Sequence, residues 1–402
     1  MATTVNTHQS LGSRLGDSIR GILTGLALFV LAFPVLFWNE GRTVHRAKAL
    51  SAGETACVES GLAPDAALDG RLVHVVGEAA SDETLSDPLF PVSVAGIRLR
   101  RSVEMFQWEE SSRSETKTNL GGSTDTKTTY SYSKGWSKHA IDSSGFAEKG
   151  HDNPQMPIEE EEVQASRVRL GGFELSGSLI HRIGGERPLP LAAGTVADWT
   201  PPFPAHAAVI GGVLYLRPGA ADATGTNIVA AAGTNAVVSA PAPDFITAPQ
   251  VGDLRVSFHL ATNHVVSVVA GQSGAQLGVF QTKNGPVELL AEGGKSAEAM
   301  FAAAKSANRT IAWLIRLGGF LLMFVGVRLV LGPLTVLADV IPFLGRIVGV
   351  GTGIVAFLVA LPCSLVTIAI AWIAYRPALG IGLLVAAGVA GVLLYRRAAA
   401  RR

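Results

Sequence analysis

The apolar run GILTGLALFVLAFPVLFW, residues 21–38, is followed directly by the polar tetrapeptide Asn39-Glu40-Gly41-Arg42. A helix of this length measures about 27 Å, close to the thickness of the hydrocarbon core of a bilayer. The run exceeds the ~7–15 apolar residues of a secretory signal peptide, and it ends in Trp38, an aromatic residue typical of the membrane interface. We therefore predict an uncleaved membrane helix over residues 21–38, preceded by a cytoplasmic tail over residues 1–20.

Three further apolar runs lie together near the C-terminus, at residues 311–334, 347–375 and 378–395. Arg316 and Arg328 lie near the ends of the first of these runs, where long side chains can extend to the interface. Gly318-Gly319 and Gly326 offer small-residue contacts for neighbouring helices, and Pro362 predicts a kink in the next run. The chain thus has four predicted membrane helices, one at the front and three at the back.

An even number of spans places both termini on one side of the membrane. The tail over residues 396–402 is short and basic, which favours the cytoplasm. Arg42, Arg46 and Lys48 favour the opposite orientation, but a long translocated loop weakens the charge rule. We predict that both termini are cytoplasmic and that residues 39–310 form one extracytoplasmic or lumenal domain.

Composition agrees with a membrane protein that carries a folded soluble part. Of the 402 residues, 48% are hydrophobic and only 16% are charged, against about 25% charged in soluble globular proteins. This deficit excludes an ordinary cytosolic enzyme and a disordered chain. The formal net charge of +1 gives no indication of nucleic-acid binding. The two cysteines, Cys57 and Cys363, are too few for a disulfide framework, and the position of Cys363 within an apolar run disfavours a bond between them.

Residues 39–310 carry mostly strand patterns. Residues 71–77 form a short apolar run bounded by turn residues, and residues 97–108 and 128–136 alternate with a period of two and predict a long hairpin. Further strands are predicted at residues 207–216, 251–258, 264–270 and 277–282, and helices at residues 173–183 and 296–309. The sequence therefore predicts an α+β membrane protein with a large β-rich domain between the first and second membrane helices.

No motif in this domain specifies catalysis, a cofactor or a metal. Gly293-Gly-Lys-Ser296 resembles a phosphate-binding loop, but the glycine that the motif requires is replaced by Leu289. None of the nine histidines has the spacing of a zinc site. The acidic run at residues 159–162 is typical of a solvated loop. We predict a non-enzymatic protein without cofactors.

One strand carries charges that require an explanation. Arg98 and Arg100 share one face of the predicted strand, and Arg101 points to the other. A guanidinium pair can bind an anionic lipid headgroup, but it can equally form salt bridges across a wet sheet face. The candidate interaction or structural residues are Asp87, Arg98, Arg100, Glu104, Trp108, Trp136, Asp253 and Arg255.

Several short blocks of this sequence, in the same order along the chain, resemble the transmembrane protein 43 family, also called LUMA. The blocks are Asn39-Glu-Gly-Arg42, Gly70-Arg-Leu-Val-His74, Leu85-Ser-Asp-Pro88, the stretch 99–108, Tyr130-Ser-Tyr132 with Trp136, His151-x-Asn-Pro154, the stretch 251–258 and Tyr375-Arg-Pro377.

The resemblance implies a four-span membrane protein with one large lumenal domain. Animal members of the family reside in the endoplasmic reticulum and inner nuclear membrane, self-associate, and bind emerin and lamins. The Ala/Gly/Arg-rich composition suggests a bacterial member, which places the protein in the inner membrane with a periplasmic domain. Emerin and lamins are then expected partners only in eukaryotes, whereas the bilayer, further copies of the chain and other membrane proteins remain.

Two functions are consistent with this pattern. The first is a structural protein that organises membrane-associated complexes through its β-rich domain and self-association. The second is an enzyme or binding protein that acts on lipid headgroups at the extracytoplasmic face. A transporter ranks last, because ionisable residues inside the predicted spans are limited to Arg316 and Arg328.

The predicted orientation can be tested with reporter fusions to the full chain. A reporter after Arg402 is expected to be cytoplasmic, because the basic tail is retained on that side. Protease added to sealed spheroplasts is therefore expected to leave the tail intact. Cleavage of the tail under these conditions would reverse the orientation.

Overall fold

The computed structural model describes residues 2–192, 194, 199–203, 205–219, 228–230 and 244–377. It confirms the α+β fold class, with long apolar helices near both ends of the sequence and a β-rich region between them. The helices are α1 Leu11–Ala56, α2 Gly177–Ile180, α3 Ala297–Val330, α4 Gly332–Ala338 and α5 Pro342–Tyr375. The strands are β1 Ala2–Gln9, β2 Val58–Glu59, β3 Leu72–Ala80, β4 Thr84–Ser86, β5 Ser93–Ala95, β6 Arg98–Thr118, β7 Thr124–Ser137, β8 Glu161–Gln164, β9 Arg169–Leu170, β10 Phe173–Leu175, β11 Arg187–Leu189, β12 Ala205–Ile210, β13 Val213–Pro218, β14 Ile228–Ala230, β15 Leu254–Ala261, β16 His264–Ser273, β17 Gln276–Gly278, β18 Phe280–Thr282, β19 Gly285–Val287 and β20 Leu289–Glu292.

Three helices, α1, α3 and α5, are long and apolar enough to cross a membrane. Helices α1 and α5 contain the apolar runs at residues 21–38 and 347–375. The run expected at residues 311–334 is divided, because α3 ends at Val330 and α4 begins at Gly332. Helix α1 continues without a break from Trp38, the end of the apolar run, to Ala56. The fourth apolar run, at residues 378–395, lies outside the described residues.

The three long helices pack through small residues. A Cβ atom on Gly25 would lie 2.6 Å from the carbonyl oxygen of Gly326, and one on Gly326 would lie 2.7 Å from that of Gly25. The backbones of α1 and α3 therefore touch at this point. Nearer the β-rich domain, Gly319 leaves space for the fully buried Leu36. Close packing of this kind matters in a membrane, because lipid offers no hydrophobic force that would drive helices together. Small residues are favoured at such contacts because they let the backbones approach.

The β-rich domain contains two large sheets. One has nine strands in the order β1-β7-β6-β15-β13-β12-β14, with β8 added to β6 and β11 to β15. In the other, β3, β9, β10, β17 and β16 pair in a closed ring, to which β2 and β20 are added. Closure of the ring removes free strand edges that would otherwise attract other chains.

The main core lies between these sheets. The strands alternate inward apolar with outward polar side chains, as β15 shows with buried Leu254, Val256 and Phe258. Leu99 and Met105 of β6 and Phe173 of β10 are likewise almost completely buried in the same cluster. A smaller cluster, which includes Leu50 and Phe301, joins α1 and α3 to the ring.

Some local expectations fail where a short apolar stretch suits two structures. Residues 173–183 have helical spacing, but the structure has strand β10 followed by the four-residue helix α2. Residues 207–216 do not form one strand, because Gly211 and Gly212 adopt positive φ angles of 61° and 81° and turn the chain into the β12–β13 hairpin. The long hairpin and the helix expected at residues 296–309 are confirmed.

Part of the segment expected as an N-terminal tail, residues 1–20, forms a strand. Strand β1 pairs antiparallel with β7, with Ala2 opposite Ser131 and Gln9 opposite Thr124. The chain then turns at Ser10, whose hydroxyl accepts a hydrogen bond from the amide of Ser13 and caps α1. The hairpin of β6 and β7 therefore extends to the end of α1 that is farthest from the β-rich domain.

The contact between Gly25 and Gly326 predicts the effect of single methyl groups. Gly326→Ala places Cβ against backbone atoms of α1, so we expect a loss of about 1–3 kcal/mol, as in other overpacked cores. Gly318→Ala is the matched control, because its Cβ would meet nothing within 4 Å and alanine favours a helix. Thermal unfolding of the detergent-solubilised full chain measures both. Equal melting temperatures for the two variants would contradict the close contact.

Candidate functional site

The two arginines that the sequence places on one strand face lie close together and share a carboxylate. Nη1 of Arg98 lies 3.3 Å from Oε1 of Glu186, and Nη2 of Arg100 lies 2.7 Å from Oε2 of the same side chain. Arg98 also lies 3.3 Å from Glu162 on β8 and donates to the carbonyl of His181 at 2.8 Å. Arg98 and Arg100 are therefore both paired with carboxylates of the protein itself.

Two other carboxylates of the predicted set, Asp87 and Asp253, pair with arginines outside that set. Asp87 accepts two hydrogen bonds from Nη1 of Arg101, at 2.5 and 2.7 Å, and both side chains are at most 3% exposed. Asp253 accepts bidentate bonds from Arg217, at 2.7 and 2.5 Å. Removing one partner of such a pair leaves a buried charge uncompensated. We interpret both pairs as structural.

Glu104 and Arg255 form a direct cross-strand pair between β6 and β15, where they are registered opposite each other. The guanidinium of Arg255 also lies 4.9 Å from the centre of the Trp136 ring. Trp136 in turn packs against Phe106 and Tyr215. Arg255, held by its salt bridge to Glu104, therefore covers one face of the Trp136 ring. Trp136 is half-buried and packs against residues of its own sheet.

Trp108 lies in a separate aromatic cluster. Its ring contacts His151 edge to face at 4.5 Å between centroids, and His151 stacks on Tyr132 at 3.9 Å. Asn153 accepts a bond from the Trp108 amide at 2.7 Å and donates to its carbonyl at 3.0 Å. Asn153 of the His151-x-Asn-Pro154 block thus supplies the hydrogen bonds that the backbone of β6 lacks beyond the end of its pairing with β15.

A polar cluster inside the helix bundle was not among the predicted site residues. Glu40 is completely buried and accepts hydrogen bonds from Nε and Nη2 of Arg316, at 2.6 and 2.8 Å. The indole N–H of Trp372 donates to the same carboxylate at 2.8 Å. Arg316 also lies 4.8 Å from the ring of Trp313. Arg316 is therefore neutralised by a carboxylate inside the bundle.

The neighbouring polar residues tie α1 to α3 in the same region. Asn39 is buried and donates to the carbonyl of Ala312 at 3.1 Å, while Asn308 donates to the carbonyl of Thr43 at 3.0 Å. Arg42 donates to the side chain of Asn308 at 3.3 Å. The block that follows the first apolar run is thus a connector of helices. Two features of the sequence indicate this connection: Glu40 directly follows the first apolar run, and Arg316 lies early in the second.

The loop that enters α3 explains the apparent phosphate-binding motif. Ser296 caps α3, and its hydroxyl accepts from the amide of Ala299. His74 is buried, and its ring nitrogens lie 2.7 Å from Glu59 and 2.9 Å from the carbonyl of Lys295. Ser267 donates to the carbonyl of Gly293. These contacts fix the loop between the β-rich domain and the membrane helix, which is a structural role.

The thiol of Cys57 is a poor nucleophile. Partial burial, together with the nearby charge of Glu59, raises its pKa to about 11, although a backbone hydrogen bond acts in the opposite direction. A thiol with so high a pKa is almost entirely protonated at neutral pH, and the thiolate is the reactive form. Within the described part of the chain, the structure also groups no three residues of the kinds that bind metals.

Comparison with known proteins identifies the family of this chain. The sequence profile described as "Transmembrane protein 43" matches residues 105–377, which run from within β6 to the end of α5. This chain belongs to the transmembrane protein 43 family. The resemblance seen in the sequence is therefore confirmed.

Relatives match along nearly the whole chain. Transmembrane protein 43 of Rattus norvegicus and that of Homo sapiens are each 33% identical over 383 residues, covering 90% of this chain and 86% of the relative. The Drosophila melanogaster homolog is 30% identical over 379 residues, covering 90% of this chain and 91% of the relative. No solved structure matches this chain. The protein is therefore a membrane protein of this family with several apolar helices.

The buried pair of Glu40 and Arg316 predicts a large effect of one substitution. Glu40→Gln keeps the shape and one acceptor oxygen, but it leaves the guanidinium of Arg316 without its counter-charge. Breaking such a pair costs about 3–5 kcal/mol. We expect a clear drop in the melting temperature of the solubilised full chain.

Arg20→Gln is the control for this experiment, because Arg20 pairs with Asp17 at 3.8 Å on an exposed surface and such pairs contribute little. The double variant Glu40→Gln/Arg316→Gln is expected to be less destabilised than the sum of the single variants, since the two residues interact directly. A melting temperature unchanged by Glu40→Gln would show that the pair contributes nothing to the bundle.

Proposed function

We propose that this protein organises membrane-associated complexes, with the β-rich domain as an interaction module carried on a self-associating helix bundle. The observation that carries this proposal is the continuity of α1 and α3 from the bundle into the domain. A Cβ on Gly53 in the last turns of α1 would lie 3.2 Å from Val287 and 3.3 Å from Leu72. Arg46 donates to the carbonyl of Pro286 at 2.6 Å.

This rigid attachment supports a scaffold. Phe301, in the second turn of α3, is completely buried in the same cluster as Leu50 of α1. The domain therefore has two helical attachments and a fixed entry loop, so it keeps a defined orientation to the bundle. A module that positions partners relative to a membrane requires such a fixed orientation.

The charged strand supports the same proposal over action on lipid headgroups. A headgroup site requires a guanidinium pair that faces a cleft without a protein counter-charge. In the described chain, Arg98, Arg100 and Arg101 each contact at least one carboxylate. The three arginines at the start of β6 are thus accounted for by salt bridges to the sheets and loops around them.

The proposed setting is a bacterial inner membrane with the β-rich domain on the periplasmic side. The Ala/Gly/Arg-rich composition and the short basic C-terminal tail support it. The proposed partners are the bilayer, further copies of the chain and other membrane proteins. Emerin and lamins belong to nuclear envelopes and are proposed as partners only for eukaryotic relatives.

The test combines two measurements on the full chain in its native membrane. An amine-reactive cross-linker is expected to capture discrete homo-oligomers. In parallel, native mass spectrometry compares retained anionic lipid in Arg98→Gln/Arg100→Gln and in the control Arg71→Gln, which alters an exposed side chain. We expect equal retention in the two variants.

Two outcomes would contradict the proposal. Cross-linked samples that contain only the monomer would exclude self-association. Selective loss of anionic lipid in Arg98→Gln/Arg100→Gln, with cooperative unfolding preserved, would instead support action on headgroups.

A further inference from the structure

The outer part of the long hairpin forms a three-stranded sheet with β1, which we call the polar sheet. It consists of residues 109–118 of β6, 124–133 of β7 and 2–9 of β1. Its sequence is almost entirely Ser, Thr, Asn, Gln and charged residues, and Val5, His8, Tyr130 and Tyr132 are the larger exceptions. Neither face is apolar, which is unusual for a sheet this long, because sheets normally bury one face.

The tip of the polar sheet is attached to the far end of the helix bundle. Arg14 donates to the carbonyl of Gly122 at 2.6 Å and pairs with Asp339 at 2.5 Å, with both charged side chains about 15% exposed. The amide of Gly121 donates to the carbonyl of Val340 at 3.0 Å. These contacts join the hairpin to the start of α1 and to the segment between α4 and α5.

The β-rich domain contacts the opposite end of α1, near Arg46 and Gly53. The polar sheet therefore runs the length of the apolar part of the bundle. From Arg14 to Trp38 the helix rises about 36 Å, which an extended strand covers in about 11 residues. This length matches the polar stretch between Ser111 and the hairpin tip at Gly122.

A sheet of this kind cannot lie in bare hydrocarbon. Within the described chain, β1 pairs with β7 alone, and β6 beyond residue 105 also pairs with β7 alone. Both outer edges consequently carry backbone N–H and C=O groups without strand partners. Each such group costs several kcal/mol in lipid, and so open sheet edges occur at membrane depth only where protein or enclosed water covers them.

We propose that copies of this chain meet through the polar sheet, with the β1 edge of one copy beside the β6 edge of the next. This inference rests on the proposed self-association and names its interface. The helices of the assembly then separate the polar sheets from the acyl chains.

A second copy fits these edges better than an unrelated partner, because each copy supplies both of them. Strands β1 and β6 are each antiparallel to β7, so they run in the same direction. Neighbouring copies with the same membrane orientation can therefore pair the two edges in parallel, and head-to-tail contacts of this kind close into rings. The edges also avoid like charges: β6 carries Glu109, Glu110, Arg113, Glu115 and Lys117, whereas β1 carries no Asp, Glu, Lys or Arg.

The strand register supplies a cross-link that can form only between copies. Thr4 and Arg113 are both registered opposite Thr129, so they lie at one level and on one face of the sheet. Within one copy they are two strand spacings apart, about 10 Å, which exceeds the reach of a disulfide. In full-length protein with Cys57→Ser and Cys363→Ser, oxidation of Thr4→Cys/Arg113→Cys in native membranes is expected to give covalent oligomers.

Two control pairs define the expected result. Thr4→Cys/Thr129→Cys joins neighbouring strands of one copy, so oxidation is expected to leave a monomer on a non-reducing gel. Thr4→Cys/Ser112→Cys places the thiols on opposite faces, because side chains alternate along a strand, and it is expected to give few covalent oligomers.

A labelling experiment tests the polar surroundings independently. Thr128→Cys in the same background is expected to react with a charged, membrane-impermeant maleimide in permeabilised membranes. Reaction with a lipid-soluble maleimide alone would place the sheet in hydrocarbon and overturn the inference.

The cross-linking outcomes separate this inference from the proposed function. If the amine-reactive cross-linker captures oligomers but Thr4→Cys/Arg113→Cys remains monomeric, self-association stands and the polar-sheet interface is wrong. If both methods give only monomers, the proposed self-association fails as well.

Discussion

The carboxylate of Glu40 is the point on which the helix bundle depends. It lies on α1 and receives hydrogen bonds from Arg316 on α3 and Trp372 on α5, so one side chain joins all three long helices. In a medium of low dielectric constant a charge without a partner is very unfavourable. The arrangement therefore permits one relative position of the helices, and the positions of the Gly25–Gly326 contact and of the domain attachments follow from it.

Much of the fold follows from the pattern of apolar residues. Apolar runs identified three long helices and the strand around residues 71–77, and alternation identified the long hairpin. The strands expected around residues 251–258 and 264–270 are also present. The failures at residues 173–183 and 207–216 involve short apolar stretches, for which turns at glycine decide the structure. The pairing of β1 with β7 was not predictable, because a strand at a sheet edge with polar residues on both faces has no periodic signal.

The candidate site was predicted less well, since ion pairs depend on contacts between distant segments. Asp87 pairs with Arg101 and Asp253 with Arg217, and neither arginine was among the predicted site residues. Glu40 and Arg316 are separated by 276 residues, so only the packing of α1 on α3 shows that they meet. The presence of opposite charges at the edges of two apolar runs was the available signal.

The uninterrupted course of α1 has a mechanical consequence. The helix continues from Trp38 to Ala56, about 27 Å beyond the apolar run, and its last turns are held by the β-rich domain. Spanning helices adjust to bilayer thickness by tilting. A tilt of about 10° moves the end of a rigid segment of this length by about 5 Å. A change in bilayer thickness is thereby converted into a lateral displacement of the domain, so that the helix acts as a lever between the lipid and the domain.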